Sequence, residues 1–217
     1  METLIQGDCL EEMDKLITEG IKAECSFTSP PYNRKRNDKY KCFDDINENW
    51  YEFNCNVIDR LLILTKGHVF YNVQTNYYNR QDVYKIIGKY CNEIKDIHIW
   101  EKTNPMPASG KSITNAVEYF LVLGKESLKS NHTYTKNIIS SSVNSNMPKN
   151  HKAVMKQDIS DYFIETFTKE GNTILDCFMG VGTTGISCKK NKRNFIGIEK
   201  VSEYFKIAQE QIKGGAK

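Results

Sequence analysis

Leu175-Asp176-Cys177-Phe178-Met179-Gly180-Val181-Gly182-Thr183-Thr184-Gly185 is the stretch whose reading decides the fold. The run Thr173–Cys177 is apolar enough for a strand. The glycines that follow allow a tight turn, because positive φ costs them nothing. From Thr183 onward a helix starts. Strand, glycine turn and helix make the first half of a β-α-β unit, and such units build parallel sheets. A second strand, Asn194–Ile198, completes the unit and delivers Glu199 at its end.

Working outward, short strand-like runs alternate with helical patterns. Strands are predicted at Thr3–Gln6, Glu24–Thr28, His68–Val73, Ile97–Glu101 and Val117–Leu123, besides Thr173–Cys177 and Asn194–Ile198. Three stripes carry helical spacing. They are Trp50, Phe53, Val57, Ile58, Leu61 and Leu62, then Ile159, Tyr162, Phe163, Thr166 and Phe167, then Val201, Tyr204, Phe205 and Ala208. Such stripes are core faces. Strands alternating with helices predict an α/β sheet covered on both faces. The segment Glu126–Asn150 breaks the rhythm with Ser, Asn, Thr and Lys and reads as a long loop or small insertion.

The glycine loop also satisfies G-x-G-x-x-G, so a nicotinamide dinucleotide is one candidate ligand. A dinucleotide would put an anionic pyrophosphate at this turn, where Asp176 would repel it. A carboxylate there suits a ligand with a cationic ammonium, and the methionine part of S-adenosylmethionine (SAM) supplies one. Glu199 then stands at about the 20-residue distance from the turn at which an acid grips ribose hydroxyls. The two acids together favour SAM over a dinucleotide and over a turn that serves only packing.

Thr28-Ser29-Pro30-Pro31-Tyr32-Asn33 follows the second strand. Two prolines fix two φ angles and stiffen the loop. It presents the Ser29 hydroxyl, the Pro30 carbonyl and the Tyr32 ring. An exocyclic amine on cytosine or adenine is a poor nucleophile because its lone pair is delocalised into the ring. Two acceptors bonded to its N–H groups pull the nitrogen toward tetrahedral geometry, and Ser29 Oγ and the Pro30 carbonyl are such acceptors. Tyr32 can stack on a base extruded from the duplex, a contact worth about 1–3 kcal/mol. Methylation of cytosine carbon-5 would instead need a nucleophilic cysteine, typically after a proline, and the chain has no Pro-Cys pair.

Composition bounds the alternatives. The chain has 217 residues, fits one domain, and is 39% hydrophobic, enough for a core. No apolar run approaches the roughly 18 residues of a membrane span. The start Met1-Glu2-Thr3, soon followed by acids, does not read as a signal segment, so a soluble intracellular protein is expected. Seven cysteines without a C-x-x-C pair argue against a disulfide framework and a zinc ribbon, and four histidines without H-E-x-x-H spacing indicate no metal site. Net charge is only +3, yet Arg34, Lys35, Arg36, Lys39 and Lys41 crowd one stretch directly after the Ser-Pro-Pro-Tyr element. Beside a site, that cluster becomes a candidate for contacts to DNA phosphates.

Together, Thr28–Tyr32, Asp176–Thr184 and the strand ending at Glu199 resemble the amino-type DNA methyltransferases. The Ser-Pro-Pro-Tyr element precedes the glycine loop, as in the circularly permuted beta group of that family. Gly7-Asp8-Cys9-Leu10, Trp100–Pro107, Glu118–Lys125 and His151–Met155 extend the likeness over nearly the whole chain. Cys177 stands where the family often has Pro, Val181 where it often has Ser, and His151–Lys156 lacks the prolines common there.

The resemblance implies a class I methyltransferase fold, Rossmann-like, with a mostly parallel seven-stranded sheet and helices on both faces. It implies Asp176, Phe178, Gly180, Gly182, Thr183, Thr184 and Glu199 at SAM, with Asp8 as a further candidate. Ser29, Pro30, Pro31 and Tyr32 are implied at the target base. Residues 1–217 would be a single methyltransferase domain, with 126–150 in the place of a short target-recognition region. Ser at position 29 is the form commoner among cytosine-N4 enzymes, which favours cytosine over adenine-N6. A DNA-binding relative that has lost catalysis, and a methyltransferase of protein glutamine or RNA, are the remaining alternatives. Double-stranded DNA is the implied partner, in the cytoplasm of a bacterium or of a phage host. A homodimer and a cognate restriction endonuclease stay open.

Overall fold

The computed structural model of the chain describes residues 1–34, 47–108, 110–143 and 155–214. In chain order the elements are β1 (Glu2–Gln6), α1 (Cys9–Thr18), β2 (Cys25–Thr28), α2 (Trp50–Leu64), β3 (Val69–Val73), α3 (Arg80–Lys89), β4 (Ile94–Lys102), β5 (Val117–Leu123), β6 (Ile138–Ser141), α4 (Gln157–Phe167), β7 (Thr173–Asp176), α5 (Thr183–Lys190), β8 (Asn194–Glu199) and α6 (Ser202–Gly214). The eight strands form one sheet in the order β1-β8-β7-β2-β3-β5-β4-β6. Only β5 runs against its neighbours, β3 and β4; the other pairings are parallel. No helix among the described residues is long and apolar enough to cross a membrane.

Alternation along the strands sends side chains to two faces. On one face Val69, Tyr71, Val73, Leu121 and Leu123 pack with buried residues of α1, α2 and α3, including Met13, Trp50, Ile58, Leu61 and Ile86. On the other, Phe27, Phe70, Phe120 and Val122 pack with α4, α5 and α6 through Ile159, Phe163, Cys188, Ala208 and Ile212. Phe163 anchors this second core, with its ring centroid 4.4 Å from Phe120, 5.0 Å from Phe70 and 5.1 Å from Phe27.

Three features depart from the sequence reading. The sheet has eight strands rather than seven, because Ile138–Ser141, inside the stretch read as a loop, pairs in parallel with Ile99–Lys102. This edge strand is held by backbone ladder bonds and buries only Ser141, so it needs no apolar alternation. Helix α1 is short and begins at Asp8, whose side chain accepts from Leu10 N–H at 3.0 Å. Helix α3 buries only Val83 and Ile86, too thin a stripe to stand out.

Candidate active site

Five neighbouring strands bring their carboxyl ends to one edge of the sheet. Asp8 follows β1, Glu199 ends β8, Asp176 ends β7, Ser29 follows β2 and Asn72 lies near the end of β3. Between β7 and β2 the direction of winding reverses: from β7 the chain moves outward to β8, and from β2 outward to β3. Ligands of open α/β sheets bind at such a switch point, beyond the strand ends. Here the two halves are joined by a hydrogen bond, with Thr28 Oγ1 donating to Asp176 Oδ1 at 2.7 Å. The glycine loop and the Ser-Pro-Pro-Tyr loop therefore flank one crevice.

On the β7–β8 side, the turn needs its glycines. Gly180 and Gly182 have φ of 56° and 92°. A Cβ on Gly182 would lie 3.1 Å from Ala208 Cβ and 3.0 Å from Ile212 Cδ1, so α6 packs directly on this turn. Asp176 is 4% exposed. Its Oδ1 also accepts from Phe178 N–H at 3.0 Å, and its Oδ2 from Thr184 Oγ1 at 2.6 Å. Glu199 accepts from Gly180 N–H at 2.8 Å and from Val201 N–H at 2.7 Å. Burial pushes both acids above the usual carboxylate range despite these bonds, and the charge of Asp176 adds to the effect at Glu199. A carboxylate offers about four lone-pair directions, so among the described residues each acid keeps at least one. Two desolvated acids with acceptor capacity left over fit a ligand that brings an ammonium and ribose hydroxyls.

The β2–β3–β5 side is a network of side chains. Pro31 accepts from Trp50 Nε1 at 2.7 Å, and the Tyr32 carbonyl accepts from Asn76 and Asn79 Nδ2, each at 2.8 Å. These bonds fix the loop. Among the described residues, the Pro30 carbonyl takes no hydrogen bond. Ser29 Oγ lies 2.9 Å from Tyr32 Oη and 3.0 Å from Asn72 Oδ1. Tyr32 Oη also contacts Asn72 Oδ1 and donates to Glu118 Oε2 at 2.9 Å. Behind it, Lys102 and Glu118 form a buried ion pair at 2.6 Å. Burial, then the charge of Glu118, holds the Tyr32 phenol well above its ordinary pKa, so it is a proton donor.

Other expected residues also have partners within the protein. Asp8 caps α1 and pairs with Lys200 at 3.2 Å. Phe178 packs its ring 6.0 Å from Phe53, as well as lying in the turn. Thr183 opens α5 next to Gly182. Arg34 folds back over the Tyr32 ring at 5.3 Å and donates to Gln74 Oε1, rather than standing clear of the loop. A base stacking on Tyr32 must therefore share that ring with Arg34 or take its other face. Lys35, Arg36, Lys39 and Lys41, with residues 144–150 of the expected recognition segment and 151–154 of the stretch beyond it, lie outside the described residues. Cys177 is buried beside Thr28, and burial raises its thiol well above the ordinary value, which makes it no nucleophile. Asn72, Lys102 and Glu118 went unnoticed as site residues. Their signal was a polar or charged side chain in a run that is otherwise core, as in Val117-Glu118-Tyr119-Phe120-Leu121-Val122-Leu123.

Comparison with known proteins bears on what this crevice does. The N6_N4_Mtase family model, DNA methylase, matches residues 23–210. The chain belongs to this DNA methylase family. Over 98% of its length the methylase is 27% identical to the type II methyltransferase M2.LlaDCHI of Lactococcus lactis subsp. cremoris, covering 90% of that protein. It is 33% identical to M2.DpnII of Streptococcus pneumoniae over 52% of this chain and 49% of that one. The M1.HpyAVI–SAM complex superposes with a TM-score of 0.72 at 25% identity, covering 97% and 99% of the two chains. The cytosine-N4-specific PvuII DNA methyltransferase shares the fold with a TM-score of 0.75 at 17% identity, over 96% of this chain and 85% of that one. The methylase is thus an enzyme that transfers methyl groups to amino groups of DNA bases, cytosine N4 or adenine N6, with SAM as cofactor.

Proposed function

We propose that this methylase modifies the N4 amino group of cytosine, extruded from double-stranded DNA, in a crevice shared by the Ser29–Tyr32 loop and the Asp176–Gly182 turn. The observation that carries the reading is the 2.7 Å hydrogen bond from Thr28 to Asp176, which sets the amine-binding loop and the cofactor turn side by side. SAM, when bound, supplies an electrophilic sulfonium methyl group. Asp176 accepts its ammonium with the lone pair left over, and Glu199 accepts from ribose hydroxyls. Gly180, Gly182, Thr183 and Thr184 shape the turn, and Phe178 lines its approach.

Ser29 Oγ and the Pro30 carbonyl each accept one N–H of the target amine and localise its lone pair. Pro31 holds that geometry through its bond from Trp50. The Tyr32 ring supports the base. Positioning of this kind, without a covalent intermediate, accounts for much of the rate. Arg34, Lys35, Arg36, Lys39 and Lys41 contact phosphates beside the site, and the segment 126–150 contributes to target recognition. A bacterial restriction–modification setting, in the cytoplasm, is in keeping with the type II relatives.

Ser29 favours cytosine because serine at this position is the form commoner among the cytosine-N4 enzymes that the chain resembles. Adenine N6 poses the same lone-pair problem and is the second reading. Incubation with SAM and duplex DNA of varied sequence, followed by digestion and mass spectrometry of nucleosides, decides between them. N4-methylcytosine is expected. N6-methyladenine would transfer the mechanism to the other base, and an unmodified pool would overturn it.

A further inference from the structure

A serine hydroxyl accepts an amine N–H only when its own proton points elsewhere, since it carries one proton and two lone pairs. The network around Ser29 determines that direction. Asn72 Nδ2 donates to the Tyr119 carbonyl at 3.3 Å, which turns Asn72 Oδ1 toward the hydroxyls of Ser29 and Tyr32. Those two hydroxyls hold two protons and face two acceptors, Asn72 Oδ1 and Glu118 Oε2. A carboxylate is the stronger acceptor. It takes the Tyr32 proton at 2.9 Å, and the Ser29 proton is left to Asn72 Oδ1 or Tyr32 Oη. Either way Ser29 spends its proton within the network, so its lone pairs remain for the substrate. With no acceptor at position 118, the Tyr32 proton is left to Asn72 Oδ1 or to Ser29 Oγ, and on Ser29 it occupies one of them.

Lys102 completes the arrangement. It sits 2.6 Å from Glu118 Oε1, with the two side chains 8% and 7% exposed, and leaves Oε2 to Tyr32. Register explains how residues so far apart meet: Glu118 pairs with Trp100 across β4–β5, and Asn72 pairs with Phe120 across β3–β5. Alternation then puts Asn72, Lys102 and Glu118 on the same face of the sheet. We infer that Glu118, held by Lys102, is a positioning residue that fixes the direction of the Ser29 hydroxyl through Tyr32 and Asn72. The inference rests on Ser29 as the acceptor of the target amine.

Glu118→Gln alone would strand a buried ammonium and can cost the fold. The test therefore uses the charge-neutral pair Lys102→Met/Glu118→Leu, which leaves no acceptor at position 118, made in the wild-type chain and in Tyr32→Phe. In the wild-type background, kcat should fall about 100-fold while the SAM dissociation constant and the KM for DNA hold. In the Tyr32→Phe background the same pair change should alter kcat by less than about threefold, because the hydroxyl it acts through is gone. Equal losses in both backgrounds, or none in the first, would overturn the inference. A readout free of cofactor comes from NMR of the SAM-free protein. A protected hydroxyl proton that vanishes in Tyr32→Phe should shift upfield in the neutral pair, and an unchanged signal contradicts the proposal. If Ser29→Ala kept full turnover, the underlying reading of the amine site would fail instead. An inactive Ser29→Ala beside a fully active neutral pair would sink this inference alone.

Discussion

On the β7–β8 side of the crevice, Glu199 is held by the backbone N–H groups of Gly180 and Val201, and Asp176 by Phe178 N–H together with the hydroxyls of Thr184 and Thr28. On the other side, Ser29, Tyr32, Asn72 and Glu118 are held by one another's side chains, across 40 to 86 positions of chain. The first is a local backbone device, set by where glycines permit positive φ. The second depends on register between distant strands and on where individual protons sit. Substitutions should therefore separate cleanly: those on the turn should alter cofactor affinity and stability, and those in the network should alter turnover.

The largest separation is expected from Ser29→Ala. Losing a preorganised polar group at the reacting amine should lower kcat by about 1,000-fold, with the SAM dissociation constant unchanged by calorimetry. Asp176→Ala should do the reverse. A lost hydrogen bond to a charged group is worth about 1.5–3 kcal/mol, or roughly 10- to 150-fold in SAM affinity, with a smaller effect on kcat at saturating SAM. If the two variants failed in the same way, the division would be artificial.

Gly182→Ala probes the turn alone. At φ 92° a side chain is strained, and its Cβ would press on Ala208 at 3.1 Å. A loss of about 1–3 kcal/mol is expected, read as a drop of several degrees in thermal unfolding. The smallest effect concerns pH. Burial raises Asp176 and Glu199 above the ordinary carboxylate range in the free protein. A cationic ligand favours their ionised forms, so SAM binding should release protons and weaken as pH falls through the raised values. Their effect on the stability of the free protein has the opposite sign, present at acid pH and lost as pH rises through the raised values. Buffer-dependent binding enthalpies would register the released protons, and a buffer-independent enthalpy would remove the electrostatic reading of the turn.

The same contrast explains what could be read from the sequence. The turn was legible because Gly180, Gly182, Asp176 and Glu199 lie within one β-α-β unit, and their order alone implies a ligand at the strand ends. The stripe containing Ile159 and Phe163 predicted α4 for the same local reason. Glu118 and Lys102 were not legible as a pair, since they meet only after β4 and β5 take their register. Nor was β6, whose two serines carry no apolar pattern and whose partner strand lies 39 positions earlier. The role of Asp8 as the cap of α1 is readable from the acid-then-helix pattern.

The most direct test is a crystal complex of the methylase with duplex DNA and a non-transferring SAM analogue. The account predicts an extruded cytosine whose N4 hydrogens point at Ser29 Oγ and the Pro30 carbonyl, with the analogue's ammonium on Asp176 in the same crevice. An analogue and a base held in pockets that face apart would contradict it.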